Sequence, residues 1–411
     1  MTSEPASAFV WIWLPSAPSP VVAGRVDLQG DIVVFTYGRS YLARKDAIPL
    51  YLPELPLGRG PISPEGRAIA GCVADSAPDS WGQKVIENRY ASADPGTREE
   101  FGILTYLLAS GSDRIGALDF QRSADSYIPR THDHATLEEL VASAERVENG
   151  IPLSPALDAA LLQGSSVGGA RPKALISDGD RSMIAKFSSV KDTYPVVKGE
   201  FVAMELARRV GLDVATVSLN SAMGKDVLLV DRFDRGPRGE RKMMVSALTI
   251  LGLDEIAGRY ASYADLAVEI QHHFTDASTT LRELFSRITF NILTGNTDDH
   301  ARNHAAFWDG RMLSLTPAYD LCPQTRSGGE AQQIMAIGAD GWRMSQVEGC
   351  VERANIFHIF SEREAREIID RQIDVIRRDW QEVCDMARLS SVDRLNYWGS
   401  QFLNEYALAD Y

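Results

Sequence analysis

NILTGNTDDHARNHAAFWDGRMLSLTPAYD, residues 291–320, is the stretch on which the reading of this 411-residue chain turns. It sets two acidic centres, Asp298 and Asp320, and the carboxamide of Asn303 into thirty residues that otherwise read as core. Leu284, Phe285, Ile288, Phe290, Ile292 and Leu293 lead into it with helical spacing, so a buried helix is expected just before the acidic residues. A short β-like segment, 312–315, separates the two acidic halves. An Asp, an Asn five residues on and a second Asp after a hairpin-sized step is the layout of a phosphoryl-transfer site. There the first Asp orients the attacking hydroxyl, and the Asn and the later Asp hold a metal at the phosphates.

Bulk properties bound the rest. The length suggests two or three structural units. Hydrophobic residues at 45% and charged residues at 24% are ordinary for a globular protein. A net charge of -14 argues against this surface gripping nucleic acid by itself, so a role on DNA needs a basic partner. Cys72, Cys322, Cys350 and Cys384 have no C-x-x-C spacing and read as reduced thiols of a cytoplasmic protein. The apolar run 9–14 is too short for a signal-peptide core or a membrane span, and no other run reaches spanning length.

The chain opens as a β-meander, FVWIWL, VVAGRVDL and DIVVFTY, with a turn at Gly30 and Asp31. A Pro/Gly-rich passage over 51–67 reads as an ordered surface loop. P-D-S-W-G (78–82) starts a helix, with Asp79 expected as a cap and Trp81 as a core aromatic. GILTYLLA is a second helix and GALDF a closing strand. Residues 122–136 are polar and read as a linker. LEELVASAERVENG reads as a helix stopped at Gly150, and 153–164 as another.

A second constellation begins at Gly164. Ser165, Ser166, Val167, Gly168 and Gly169 lead to Lys173, which opens a strand, KALIS. Glycines there let the backbone approach a phosphate, and successive N–H groups can form an anion-binding nest. The loop is neither Walker A nor the G-x-G-x-x-G of most protein kinases. By itself, such a hairpin is more often a flexible turn than a nucleotide site. After a turn at 178–180, the strand RSMIAKF carries Lys186 among apolar neighbours. Fourteen residues on, Glu200 starts an amphipathic helix stopped by Gly211, the arrangement by which kinases set a strand lysine against nucleotide phosphates. Two further strands follow, the second running into Asp231, Arg232, Phe233 and Asp234, a connector whose backbone could face an adenine.

SSVGGARPKA, IAKF, KGEFVAMELAR, VDRFDR, NTDDHARN and LTPAYDLCP, in this order, resemble the HipA family of bacterial toxin serine/threonine kinases. The β-meander, PDSWG and GALDF resemble that family's N-terminal domain, so the likeness covers nearly the whole chain. It implies an α+β, protein-kinase-like two-lobed fold with a β-rich N-terminal subdomain and a mainly helical C-terminal lobe. Its parts would be 1–125, an N-lobe over 126–236 and a helical C-lobe over 237–411.

The resemblance also implies a role for each matched residue. Asp298 would be catalytic, and Asn303 and Asp320 would hold Mg²⁺. Lys186, paired with Glu200, would contact ATP phosphates together with Ser166, Val167, Gly168, Gly169 and Lys173. Asp231 and Phe233 would present main-chain groups to adenine, with Asp234 near the ribose. Ser166, or its neighbour Ser165, would be an autophosphorylation site whose modification ejects the loop. The implied partners are a DNA-binding, HipB-like helix-turn-helix antitoxin and a protein substrate with a Ser or Thr acceptor. Aminoacyl-tRNA synthetases are the family's best-known substrate class.

The chain departs from the family at Pro172, where a polar residue is frequent, and at MVSALTILG, which replaces a more polar segment after the hinge. Two other classes stay open: a pseudokinase serving as a binding subunit, and a metal-dependent hydrolase built on Asp298, Asp299, His300, His304 and Asp320. The H-A-R-N-H spacing lacks the Glu of H-E-x-x-H, which argues against zinc. His300 and Asp299 have ordinary readings, as a structural histidine and a solvated neighbour. The remaining chain shows helical periodicity at 263–274, 280–293, 361–387 and 392–406, and 321–350 is irregular and a candidate acceptor-docking segment.

Overall fold

The computed structural model describes residues 5–93, 101–130, 135–151, 153, 161–162, 164–325 and 330–411. Most of the helix expected over 153–164 lies outside the described residues, as do 131–134 of the expected linker and 326–329 of the irregular segment. The chain folds as two compact units. The first comprises Met1–Lys191, Asn220–Val245 and Phe307–Arg311; the second comprises Asp192–Leu219, Ser246–Ala306 and Met312–Tyr411.

The first unit carries the meander. Strands β1 (Ser7–Ile12), β2 (Val21–Gln29), β3 (Ile32–Tyr37), β4 (Pro61–Ile62) and β5 (Leu118–Gln121) form a five-stranded sheet in the order β4-β3-β2-β1-β5. Neighbouring strands run antiparallel, and a two-residue turn at Gly30 and Asp31 joins β2 to β3. The register slips between Val10 and Trp11, opposite Gly24, where a Cβ would sit 2.2 Å from the Thr36 carbonyl oxygen. Only glycine allows the strands to close at that bulge. The passage expected as a surface loop is largely tied down. Leu50, Tyr51 and Leu55 are buried, and the Glu54 carboxylate accepts from the backbone N–H groups of Gly71 and Cys72 at 2.8 Å each.

Strands β6 (Lys173–Asp178), β7 (Arg181–Phe187), β8 (Val217–Ala222) and β9 (Lys225–Asp231) form a second sheet in the order β6-β7-β9-β8. Alternation along β7 buries Met183, Ala185 and Phe187 and turns Ser182, Ile184 and Lys186 to the other face. The buried face packs on the helices Ser80–Ala93 and Leu137–Glu148 through Trp81, Val85, Leu140, Val141 and Val147. The Leu137–Glu148 helix starts with a capping box, Thr136 and Glu139 each serving the other's backbone N–H. The helix expected in the 1–125 part therefore shares one core with the sheet expected in the 126–236 part.

The second unit is mainly helical. Its helices include Val196–Val210, Tyr263–His273, Ala277–Leu293, Val347–Glu352 and Glu362–Met386. The periodicity of the sequence accounts for them. In Ala277–Leu293, for example, Leu281, Leu284, Phe285, Ile288 and Phe290 are fully buried, and Asp276 caps the first turn by accepting from the Thr279 N–H at 3.2 Å. Gly211 ends Val196–Val210 in the left-handed conformation, φ +96°.

The helix expected over 392–406 stops early, at Tyr397. Gly399 and Leu403 take positive φ, which folds the chain back and lets the ring of Phe402 reach that of Trp380, with centroids 4.8 Å apart. A tertiary aromatic contact overrides the helical period there. Among the described residues, no helix is long and apolar enough to cross a membrane.

Candidate active site

The acidic stretch lies in the second unit, and its conformation is set from beneath. The Ala277–Leu293 helix ends at Thr294, and Gly295 follows at φ +68°. A Cβ on Gly295 would lie 2.7 Å from the Gln401 carbonyl oxygen, so the turn into the loop demands both the left-handed backbone and the missing side chain. The Asn296 N–H then bonds back to the Asn291 carbonyl at 2.8 Å, and the Asn296 carboxamide donates to the Asn291 side chain at 3.1 Å.

From this turn two adjacent aspartates diverge. Asp298 is exposed, whereas Asp299 is buried. The Asp299 carboxylate accepts from the Tyr263 hydroxyl and from Asn291 Nδ2 at 2.8 Å, and it meets His304 Nε2 at 2.8 Å. Burial opposes ionisation of Asp299. The neighbouring His304 and the Tyr263 hydrogen bond outweigh it and hold the carboxyl below its ordinary range. Tyr263 is displaced far upward by burial and by the facing carboxylate, so it stays a hydroxyl donor. Asp299, which sequence reading leaves without a role, is therefore the buried anchor of the loop. The Tyr263 and Asn291 signals lie 36 and 8 residues away, beyond the reach of any local pattern.

Asp298 behaves oppositely. Partial burial first, then the carboxylates of Asp320 and Asp299, raise its pKa above the usual value, against the influence of His300. A carboxylate with a raised pKa and an exposed position can accept a proton from a hydroxyl. Asn303 lies in a single 3-10 turn, Ala301–Asn303, where its N–H bonds to the His300 carbonyl at 2.8 Å. Its Nδ2 contacts the Asp298 carbonyl at 3.4 Å.

Asp320 closes the stretch at φ +60°, a strained conformation for a residue with a side chain. The backbone leading to it is pinned by pairing of Ala318 with Asp213 and Ala215, at 2.8 and 2.9 Å. Arg287, buried inside the apolar helix, adds bonds to the Thr316 and Asp213 carbonyls at 2.9 and 3.1 Å.

The donor set suits a hard divalent cation. Asn303 and Asp320 offer a carboxamide and a carboxylate, the few oxygen ligands that Mg²⁺ takes from protein when phosphates supply the rest. A cation there would also relieve the Asp298–Asp320 repulsion. Among the described residues, no group of three or more His, Cys, Asp and Glu side chains converges as for a metal ion. His304 is committed to Asp299, and the five-residue cluster imagined for a hydrolase does not assemble.

The nucleotide-related residues lie in the first unit, apart from Glu200, which is buried on the Val196–Val210 helix of the second. Lys173 and Lys186 are direct cross-strand partners in the β6–β7 ladder, so their side chains leave the same face of the sheet. Two ammonium groups so placed favour an anionic ligand. The Lys173 ammonium also donates to the Gly168 carbonyl of the Ser/Gly loop. In that loop Ser165 and Ser166 are buried. Ser165 Oγ donates to the Leu162 carbonyl at 2.6 Å and Ser166 Oγ to the Asp113 carbonyl at 3.4 Å.

Asp231 ends β9 and its carboxylate pairs with Arg181 at 2.7 Å, which leaves the expected main-chain role untouched. Phe233 meets Phe307 edge-on, centroids 5.9 Å apart. Asp234 is different. Its buried carboxylate takes Arg232 at 2.8 Å, Arg235 at 2.9 Å and the Gly116 N–H at 2.8 Å. That carboxylate belongs to a buried ion network with Asp113. Asp79, expected as a helix cap, accepts from the Gly169 N–H of the loop. Trp81 is buried as expected, and its indole N–H donates to the Lys173 carbonyl at 2.9 Å.

Comparison with known proteins gives the arrangement its kin. Residues 18–121 match the model of the HipA N-terminal domain, and residues 165–380 match that of the HipA-like C-terminal domain. Y4mE of Sinorhizobium fredii, described as a candidate kinase, is 25% identical over 351 residues, 77% of this chain and 80% of its own. The serine/threonine-protein kinase toxin HipA of Shewanella oneidensis is 28% identical over 145 residues, 31% of this chain and 34% of its own. Among solved structures, the Shewanella oneidensis MR-1 complex of HipA, HipB and operator DNA contains a chain that matches with a TM-score of 0.71. That match covers 97% of this chain and 95% of the other at 19% identity, and it shows a common fold. The α+β fold expected from sequence is thus observed, and the chain belongs to the HipA family.

Proposed function

We propose that this protein is an ATP- and Mg²⁺-dependent serine/threonine protein kinase that acts as the toxin of a type II toxin–antitoxin system. The observation that carries this reading is the split between the adjacent aspartates. Asp299 is buried as an anchor, while Asp298 is exposed with a raised pKa beside Asn303 and Asp320. In-line transfer asks the protein for positioning and charge neutralisation rather than covalent chemistry. Asp298 accepts the proton of a Ser or Thr hydroxyl and orients its oxygen. Asn303 and Asp320 hold the metal, which when bound neutralises charge developing on the phosphates. Lys186, supported by Glu200, and Lys173 with the Ser166–Gly169 backbone hold the ATP phosphates. The main chain at Asp231 and Phe233 faces the adenine.

Ser166, with Ser165 beside it, is the proposed autophosphorylation site. The partner is a HipB-like, DNA-binding helix-turn-helix antitoxin. This follows from kinship with a HipA solved together with HipB and operator DNA, and the net charge of -14 leaves DNA contact to that partner. The substrate is a cellular protein with a Ser or Thr acceptor, an aminoacyl-tRNA synthetase being the first to test, and the site of action is the cytoplasm.

Incubation of the purified protein with Mg-ATP and cell lysate, followed by phosphosite mapping of enzyme and lysate, tests the reading. New phosphoserine or phosphothreonine is expected with the wild type and none with Asp298→Asn. A wild type that binds no Mg-ATP by calorimetry and adds no phosphate would instead be a binding subunit.

A further inference from the structure

The P-D-S-W-G segment, residues 78–82, has a place in the structure that its helix-start sequence does not announce. Asp79, Trp81 and Gly82 meet the Ser/Gly loop or the strand that follows. The Asp79 carboxylate accepts from the Gly169 N–H. The Trp81 N–H approaches the Gly169 carbonyl at 3.4 Å, and the Trp81 indole N–H donates to the Lys173 carbonyl at 2.9 Å. Gly82 lies so close to the loop that a Cβ would stand 1.8 Å from the Ser165 carbonyl oxygen. On the loop side, a Cβ on Gly168 would come within 2.9 Å of the Asp79 carboxylate, so a larger residue there would push that carboxylate aside. The Pro78 carbonyl is held by Gln83 Nε2 at 3.1 Å, which steadies the first turn.

The contacts converge on one conformation. With the loop seated, Ser165 and Ser166 are 0% and 1% exposed, too enclosed for either hydroxyl to reach an attacking position. Ser166 Oγ donates to the Asp113 carbonyl at 3.4 Å, and Ser165 Oγ bonds within its own turn, to the Leu162 carbonyl at 2.6 Å. The Asp79 bond to the Gly169 N–H is charge-assisted, which makes it a strong restraint on the loop. It also fills a loop amide with a carboxylate, the same chemistry that an anion-binding nest offers to phosphate.

We propose that residues 78–82 form the seat of the Ser/Gly loop and that Asp79 is the positioning residue that keeps Ser166 sealed. Breaking the Asp79–Gly169 bond releases the loop and uncovers the serines, while the fold beneath stays intact. The consequence for phosphorylation rests on the kinase reading above; the seat itself does not.

A thiol probe tests it without nucleotide. Cys72, Cys322, Cys350 and Cys384 are all buried, so the protein has a low background for a thiol reagent. Ser166→Cys adds one reporter at the loop. Labelling of that single thiol by Ellman's reagent should be slow with Asp79 present and about tenfold or more faster with Asp79→Ala, as expected for loss of one charge-assisted bond. Gly82→Ala should act in the same direction through its clash with Ser165. Asp79→Asn, which keeps an acceptor, should fall between. Equal labelling rates with and without Asp79 would overturn the proposal. So would labelling of all five thiols in both Asp79 variants, which would make Asp79 a support of the whole unit. Because no ATP is present, a protein that never transfers phosphate can still show the seat, and the two readings fail separately.

Discussion

Asp299 Oδ2 and His304 Nε2 stand 2.8 Å apart, both almost completely excluded from water. Tyr263 and Asn291 complete the carboxylate's shell, so the residue beside the proposed base is the best-anchored atom group in the loop. Removing one partner of a buried, hydrogen-bonded pair leaves the other uncompensated. Asp299→Ala should therefore lower unfolding stability by about 3 kcal/mol, read by urea titration. Asp299→Asn keeps the shape and an acceptor and should lose clearly less. Both should depress phosphoryl transfer, because the Asp298 backbone hangs from this anchor.

Asp298→Asn should leave the urea midpoint within about 0.5 kcal/mol of wild type, since the side chain is exposed and makes no structural bond in the loop. Phosphoryl transfer should fall by roughly 10²–10⁴, the scale of a positioned general base. In the wild type, the ionised carboxylate is the active form. Burial and the Asp320 carboxylate raise its pKa in the metal-free protein, so its protonation there should set in above the range of an ordinary Asp, read by following the Asp298 carboxyl in a pH titration without metal.

The first unit should have its own acid limit. Burial works against the Asp234 carboxylate, but Arg232 and Arg235 outweigh it and bring its pKa from 3.8 down to about 2. Asp113, beside Arg232, Arg235 and Arg241, is also held well below the ordinary range. A pKa depressed by folding stabilises fully above the unfolded value and loses that effect as pH falls through the folded one. Stability of this network should therefore hold down to about pH 4 and drop between there and about pH 2. Asp234→Asn should flatten that drop in pH-dependent denaturation.

Gly295→Ala should destabilise by roughly 1–2 kcal/mol, because it needs a left-handed backbone and forces a Cβ onto the Gln401 carbonyl. It should also lower phosphoryl transfer by displacing Asp298 and Asn303, both measured on the same preparation. Gly310, at φ +100° in the other unit, should show the stability cost without the catalytic one.

The sequence alone carried the secondary structure wherever one period ran unopposed. The meander, the β6–β7 hairpin with its turn at Gly179, and the helices Val196–Val210, Ala277–Leu293 and Glu362–Met386 all follow from alternation, helical spacing and caps. It also singled out the acidic stretch and the two strand lysines as candidates, because their residue types recur at short spacings.

What tertiary structure decided lies in side chains with two roles open to them. Asp79 reads locally as a helix cap, and the fold also gives it a loop ninety residues away to hold. Asp234 neutralises Arg232 and Arg235, partners that the local sequence does not single out, because burial makes an unpaired carboxylate costly. Asp298 and Asp299 are chemically identical neighbours. One became an anchor and the other an exposed acid because Tyr263, Asn291 and His304 surround only the second, and partners brought together by folding leave no mark on the local sequence.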